Sequence, residues 1–217
     1  MKTVAFTKSY GGVTVLTMPA VELQPGTVTA VIGANGSGKS TLAKVLSGLE
    51  PADKKTRARP DARVGYLPQK SFAFRMRVER NLLSNGKDAQ RMARLTEALG
   101  LTALRKRSAK RLSGGETAKM ALCRLLMADY DLLILDEPTA AMDMESTLAA
   151  EKLISDYCKK TGCAVLLITH SLAQAERVAD RVLYLHKGAL VEQGEAEAVL
   201  KKPKAPETQA FLKFYGA

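Results

Sequence analysis

Long apolar runs are missing from this 217-residue chain. The longest, such as Leu132–Leu135 and Ala164–Ile168, read as buried strands and fall far short of the roughly 20 residues a membrane-crossing helix needs. The amino terminus, MKTVAFTKSY, has neither the apolar core nor the small-residue cleavage site of a secretory signal, so the chain is expected to stay in the cytoplasm. Cysteine is scarce: Cys123, Cys158 and Cys163 are odd in number and lack metal-ligand spacing, which fits a reducing compartment and a packing role. Tryptophan is absent, which by itself excludes nothing. No low-complexity stretch argues for disorder and no internal repeat argues for a solenoid. The length excludes two full-sized domains, so residues 1–217 are expected to form one. What is present, 46% hydrophobic and 25% charged residues, suits an ordinary folded domain.

The net charge of +11 is unevenly placed. Between Lys54 and Arg111 stand 17 Lys or Arg against 4 Asp or Glu, a net of +13, which leaves 16 against 18 for the rest of the chain. Such a segment can meet nucleic acid, anionic lipid head groups or an acidic protein surface, or it can be a set of solvated helix faces.

Along the first 35 residues, β-rich runs alternate with turns at Gly11-Gly12 and Pro25-Gly26, which predicts a small antiparallel sheet leading into a core strand at TVTAVIG. A helix is expected from Lys39 to about Ser47, ended by Gly48. ARVGYLPQ reads as a strand, and residues 72–112, with short helical stretches between Val78 and Leu104, read as an inserted helical subdomain. Beyond Gly115, helices to about Ala128, from Glu145 to Lys160 and from Leu172 to Ala179 alternate with the strands DLLILD and CAVLLIT. Two short strands follow around Val182–Val191, and residues 195–217 read as a helical tail with a Lys/Pro break. Strands that are continuous apolar runs between helices indicate an α/β fold with a mostly parallel sheet covered on both faces.

GANGSGKST places Gly33, Gly38, Lys39 and Ser40 in the G-x-x-x-x-G-K-[ST] pattern, directly after a β run and before a helix. In that setting the backbone N–H groups from Gly33 through Ala34, Asn35, Gly36, Ser37 and Gly38 to Thr41 can curl around phosphates. Lys39 reaches the terminal phosphates and Ser40 can ligate Mg²⁺. LLILDEP is an apolar strand ending in two carboxylates, at the strand end where ligands bind in open α/β sheets. Asp136 is the candidate Mg²⁺ partner, and Glu137 the candidate that orients or deprotonates an attacking water. Taken alone, the pair also reads as a helix cap before Pro138. A second anion site is written into RLSGGETAKM: Ser113, Gly114, Gly115 and Glu116 open an amphipathic helix whose free N–H groups and dipole face an entering anion. That stretch alone also fits an ordinary serine cap.

These residues together resemble the nucleotide-binding subunits of ABC transporters. GANGSGKST, Gln69 in GYLPQ, LSGGE at Leu112–Glu116, LLILDEP, Asp143 in AAMD and His170 in LLITH occur in that family's order and approximate spacing, from about Lys2 to about Gly194. The resemblance implies a P-loop ATPase core carrying an antiparallel β subdomain and an inserted helical subdomain. It also implies two subunits facing head to tail, each ATP held between the P-loop of one and LSGG of the other, with Ser113 and Gly115 donating to the partner's γ phosphate.

In that frame Gln69 resembles the residue that contacts Mg²⁺ or the lytic water, and His170 the one that contacts the γ phosphate. Asp143 resembles a dimer-contact residue, although the family's usual serine is missing from AAMD, and Ser171 stands where many relatives have Asp. Tyr10 resembles the aromatic that stacks on adenine, with a packed strand-end tyrosine as the alternative. The implied partners are a membrane permease, a second ATPase subunit and, for import, a solute-binding protein, with no specific nucleic acid. The chain would lie peripherally on the inner face of the cell membrane. Single-domain brevity resembles bacterial importers, and oxyanion systems for tungstate or molybdate among them. A small exporter ATPase, or a soluble relative acting on ribosomes or DNA, are the competing readings; a P-loop kinase leaves LSGG and His170 unexplained.

Overall fold

The computed structural model describes residues 1–215. Its frame is one eight-stranded sheet in the order β1-β2-β8-β7-β3-β6-β5-β4. The central strands β3 (Val28–Ile32), β5 (Leu132–Asp136) and β6 (Ala164–Ile168) are buried along their whole length. Continuous apolar sequence is what a strand covered on both faces requires. With β4 (Val64–Leu67) and β7 (Arg181–His186) they pair in parallel. Alternation then sorts side chains by face: Leu132, Ile134, Leu166 and Ile168 pack with α1 (Lys39–Ser47), whereas Leu133, Leu135, Val165 and Leu167 pack with α4 (Gly114–Leu125) and α5 (Met144–Thr161).

The antiparallel amino-terminal strands β1 (Phe6–Tyr10) and β2 (Val13–Met18) form, and they continue the same sheet. The seam is a single pairing, Thr17 with Ala189, between β2 and β8 (Ala189–Glu195). Helix α1 ends where Gly48 takes a left-handed conformation with φ 80° and its N–H bonds back to Lys44 and Val45. Between β4 and α4 lie α2 (Val78–Leu83) and α3 (Ala89–Ala98). Their buried Leu82, Met92 and Leu95, with Leu99 just beyond α3, share one apolar core with α4, α5 and the sheet.

Helix α6 (Leu172–Val178) covers the sheet beside β3 and β7, followed by α7 (Ala196–Lys201) and α8 (Pro206–Tyr215). All three cysteines are free and buried. Burial pushes the Cys123 and Cys163 thiols up to about 12 and Cys158 to about 11, which suits packing and not nucleophilic chemistry.

Candidate functional site: a phosphate-binding groove at the strand ends

The loop from Gly33 to Gly38 joins β3 to α1. Gly33 has φ 151°, and a Cβ there would meet the Leu185 carbonyl oxygen at 2.3 Å, so no side chain fits. Gly38, at φ 99°, caps α1 without any side-chain acceptor. The first-turn N–H groups of the helix are therefore left for an anion. Lys39 is 7% exposed and its Nζ donates to the carbonyls of Gly33 (2.7 Å) and Ala34 (2.9 Å). Burial lowers the ammonium pKa, with the Glu137 and Asp136 carboxylates acting against that.

Asp136 ends β5 and is 2% exposed, with Oδ1 buried and without a partner. Burial raises its pKa, opposed by the Ser40 hydroxyl and by Lys39, while Glu137 adds to the rise. Glu137 turns away from the strand with φ 50°, a left-handed conformation rare for a side chain of its size. Its N–H donates to the Ile168 carbonyl at 2.9 Å. Its carboxylate lies between two expected site residues: Oε2 accepts from Gln69 Nε2 at 2.9 Å, and Oε1 is 3.2 Å from His170 Nδ1. Adjacent strand ends β4, β5 and β6 deliver these three residues to one place.

Two cavities of about 270 and 320 Å³ meet here and share Asn35, Gln69 and Glu137. The first is lined by Gly33, Ala34 and His170; the second by Gly36, Gly38, Lys39, Ser40, Thr41 and Tyr10. Tyr10 is 43% exposed, donates its hydroxyl to Glu50 and stands under the Lys8 ammonium. A larger cavity of about 510 Å³ under the 50–62 loop includes no P-loop or strand-end residue, so size does not identify the site.

Two features escape sequence reasoning. Phe211 and Tyr215 of α8 wall the first cavity, and the Tyr66 phenol is pushed up to about 12 by burial and then by Asp136. Tyr66 lies in the quoted GYLPQ, so its strand position was a usable signal; nothing local to α8 marks its aromatics as site residues.

Ser113 to Glu116 line neither cavity. Ser113 caps α4 reciprocally: its Oγ accepts from the Glu116 N–H at 3.2 Å, and the Glu116 carboxylate accepts from the Ser113 N–H at 2.7 Å. That backbone bond lowers the Glu116 pKa. A Cβ on Gly115 would meet the Ala141 carbonyl oxygen at 2.8 Å. Asp143 caps α5 through the Ser146 N–H at 2.8 Å and lies 3.8 Å from Lys119. Ser171 caps α6 by accepting from the Gln174 N–H at 3.2 Å, a task an Asp performs equally well.

Comparisons with known proteins bear on the family and the fold. Residues 16–140 match the ABC transporter family. The chain is 36% identical over 205 residues to the tungstate uptake system ATP-binding protein TupC of Peptoclostridium acidaminophilum, covering 88% of this chain and 94% of that one. It is likewise 36% identical over 197 residues to the zinc import ATP-binding protein ZnuC of Chelativorans sp. (strain BNC1), covering 88% and 67%. Among solved structures, an ATP-binding subunit of an ABC transporter superposes with a TM-score of 0.83 at 22% identity, covering 100% of this chain and 99% of that one, which shows the shared fold. An archaeal ribosome recycling factor, aABCE1, superposes at 0.81 with 27% identity, covering 90% of this chain and 39% of that one. The match runs through the P-loop, Gln69, the LSGG helix start and Glu137 in one continuous segment, and the chain belongs to the ABC transporter family as an importer-like ATPase.

Proposed function

We propose that the chain works as a head-to-tail pair that closes on two ATP·Mg²⁺, hydrolyses them and reopens, driving solute import through a separate membrane permease. One observation supports this reading: the two helix starts whose sequences suit an anion, α1 and α4, share no cavity within a single molecule. Twofold pairing gives each a counterpart. Ser113 and Gly115 then donate to the nucleotide held by the partner's P-loop, and the Tyr10 ring stacks on adenine.

Within the groove, Lys39 neutralises the terminal phosphates and Glu137 orients, and takes a proton from, the attacking water. Gln69 and His170 hold that carboxylate in place. The unpartnered Asp136 Oδ1 beside the Ser40 hydroxyl fits a hydrated hard cation. Among the described residues no group of three or more His, Cys, Asp or Glu could hold a metal. Ser40, Asp136 through water and Gln69 would therefore hold Mg²⁺ jointly with phosphate oxygens. When bound, that ion supplies neutralisation of the developing phosphate charge.

A groove of about 330 Å³ beside the Gln69 loop supports coupling to the permease. Its exposed Phe72 and Phe74 lie 4.6 and 4.7 Å from the Arg124 guanidinium. Exposed Lys70, Arg75, Arg77 and Arg80 follow in the same stretch, which favours an acidic partner segment or anionic head groups and gives the basic segment a use other than nucleic acid. No described helix is long and apolar enough to cross a membrane; in this reading the permease is a separate polypeptide and this subunit is peripheral on the inner face.

For the solute we favour an oxyanion such as tungstate or molybdate, delivered by a solute-binding protein; the near-complete mutual coverage with the tungstate relative supports it. Deleting the gene and following uptake of labelled tungstate, molybdate and zinc tests the solute. Loss of oxyanion uptake is expected. Loss of zinc uptake alone, or unchanged uptake of all three, overturns the oxyanion assignment.

A further inference from the structure

Behind the groove a buried polar bridge joins three elements. Gln174 on α6, 3% exposed, donates through Nε2 to Thr139 Oγ1 (2.9 Å) and to Glu151 Oε1 (3.1 Å). Glu151 on α5, 4% exposed, is held by Arg177 through two 2.8 Å hydrogen bonds. Burying a carboxylate and an amide is weak support for stability, because desolvation offsets much of what the contacts return. The placement is more informative. Thr139 stands two residues after Glu137, and Gln174 four residues after His170.

Sheet pairing of Asp136 with Ile168 sets the coarse separation of the two strand ends. Beyond the one bond from the Glu137 N–H to the Ile168 carbonyl, it does not hold the turn that follows. Glu137 is in a left-handed conformation, which persists only where its surroundings over-determine it. Thr139 anchors that turn on its far side: its carbonyl accepts from the Met142 N–H at 2.9 Å, while the Glu137 carbonyl accepts from Ala140 at 3.3 Å. The same turn then presents the Ala141 carbonyl to Gly115 at the start of α4.

We propose that Gln174 is a positioning residue of the ATPase site: by bridging Thr139 to the Glu151–Arg177 pair it holds the strained Glu137 turn against His170 and couples both to the Ala141 segment abutting Gly115. This rests on the reading that Glu137 and His170 act on the γ phosphate and its water.

Steady-state hydrolysis by the full chain, with melting temperatures, tests it on Thr139→Val, Thr139→Ser, Gln174→Met and the Thr139→Val/Gln174→Met double variant. A loosened turn is expected to lower kcat about tenfold in the Val and Met variants, since misplacement of a reacting group by about 1 Å can cost roughly a hundredfold. KM for ATP should stay within about twofold, because ground-state binding is untouched. The double variant should be no slower than the slower single, since both remove one bridge. Thr139→Ser, which keeps the oxygen, should restore turnover.

Unchanged kcat beside a lowered melting temperature, losses that multiply in the double variant, or a Ser variant as slow as Val would each overturn the inference. A Glu137→Gln control run in parallel separates the two levels. Parental turnover by Glu137→Gln removes the site reading and this inference with it; an inactive Glu137→Gln beside unaffected bridge variants removes this inference alone.

Discussion

Replacing Asp136 by Asn should make the nucleotide-free protein more stable while disabling it. The carboxylate is 2% exposed and one of its oxygens has no partner, so it carries the desolvation cost of a charged group without full compensation. Its raised pKa states the same cost: burial outweighs the help of Ser40 and Lys39. Asn has nearly the same volume and no charge. An unsatisfied buried group costs about 1–3 kcal/mol, more when charged, so a gain of about 1–2 kcal/mol is expected on neutralisation. For a domain of this size that corresponds to a rise in Tm of roughly 2–8 °C.

The pH dependence fixes the sign. A folded-state pKa above the unfolded one means that ionisation of Asp136 costs stability. The parent is therefore relatively most stable below the ordinary Asp value of about 3.9 and loses this contribution as pH rises through the raised folded value. The advantage of Asp136→Asn should be full at neutral and higher pH and shrink on acidification. Calorimetry at a series of pH values, with chelator and without nucleotide, measures it. A variant less stable than the parent at pH 8 would show that Ser40 and Lys39 more than compensate the buried charge, and the argument from the orphaned oxygen would fail. With Mg²⁺ and ATP the order should reverse, since the parent alone gains full ligand stabilisation.

Other perturbations follow from the same geometry. Lys39→Ala removes a charged donor to phosphate, a class of bond worth about 1.5–3 kcal/mol, and should weaken binding of a fluorescent ATP analogue by roughly 10- to 100-fold. Gly33→Ala forces a Cβ to 2.3 Å from the Leu185 carbonyl oxygen and should cost about 1–3 kcal/mol in chemical denaturation, as overpacking does. Gly115→Ala meets the Ala141 carbonyl at 2.8 Å yet lines neither cavity. It should leave nucleotide affinity of the single chain intact while lowering hydrolysis, and a matched loss of affinity would contradict the separation of the two anion sites.

What sequence alone revealed about this molecule is local chemistry, and what it concealed is adjacency. The P-loop was legible because Gly33, Gly38, Lys39 and Ser40 are consecutive enough for their geometry to follow from strand, turn and helix rules. Gly48 was legible as a stop because left-handed backbone favours glycine. The strands β5 and β6 were legible because only burial on both faces explains their uninterrupted apolar runs. The meeting of Gln69, Glu137 and His170 depends on the order β6-β5-β4, which no periodicity encodes and which only the family resemblance implied. The same holds for the continuity of the first hairpin with the main sheet through Thr17 and Ala189, and for the aromatic wall supplied by α8.

Glu137 shows why the concealed part matters. A residue type ill-suited to φ 50° stands there, so the local rule gives way to what the turn does: it aims a carboxylate at the shared wall of two cavities. The strain is carried by contacts from three directions, Ile168 at the backbone, Gln69 and His170 at the carboxylate, and Thr139 through Gln174 behind. A turn held from the strand ends on one side and abutting Gly115 through Ala141 on the other joins the P-loop groove to the start of α4, the second nucleotide edge of the proposed head-to-tail pair. If hydrolysis waits for a second subunit, as the proposed pairing requires, that link is the route by which it would do so. A carboxylate held only by its own strand would have no means of sensing the far edge.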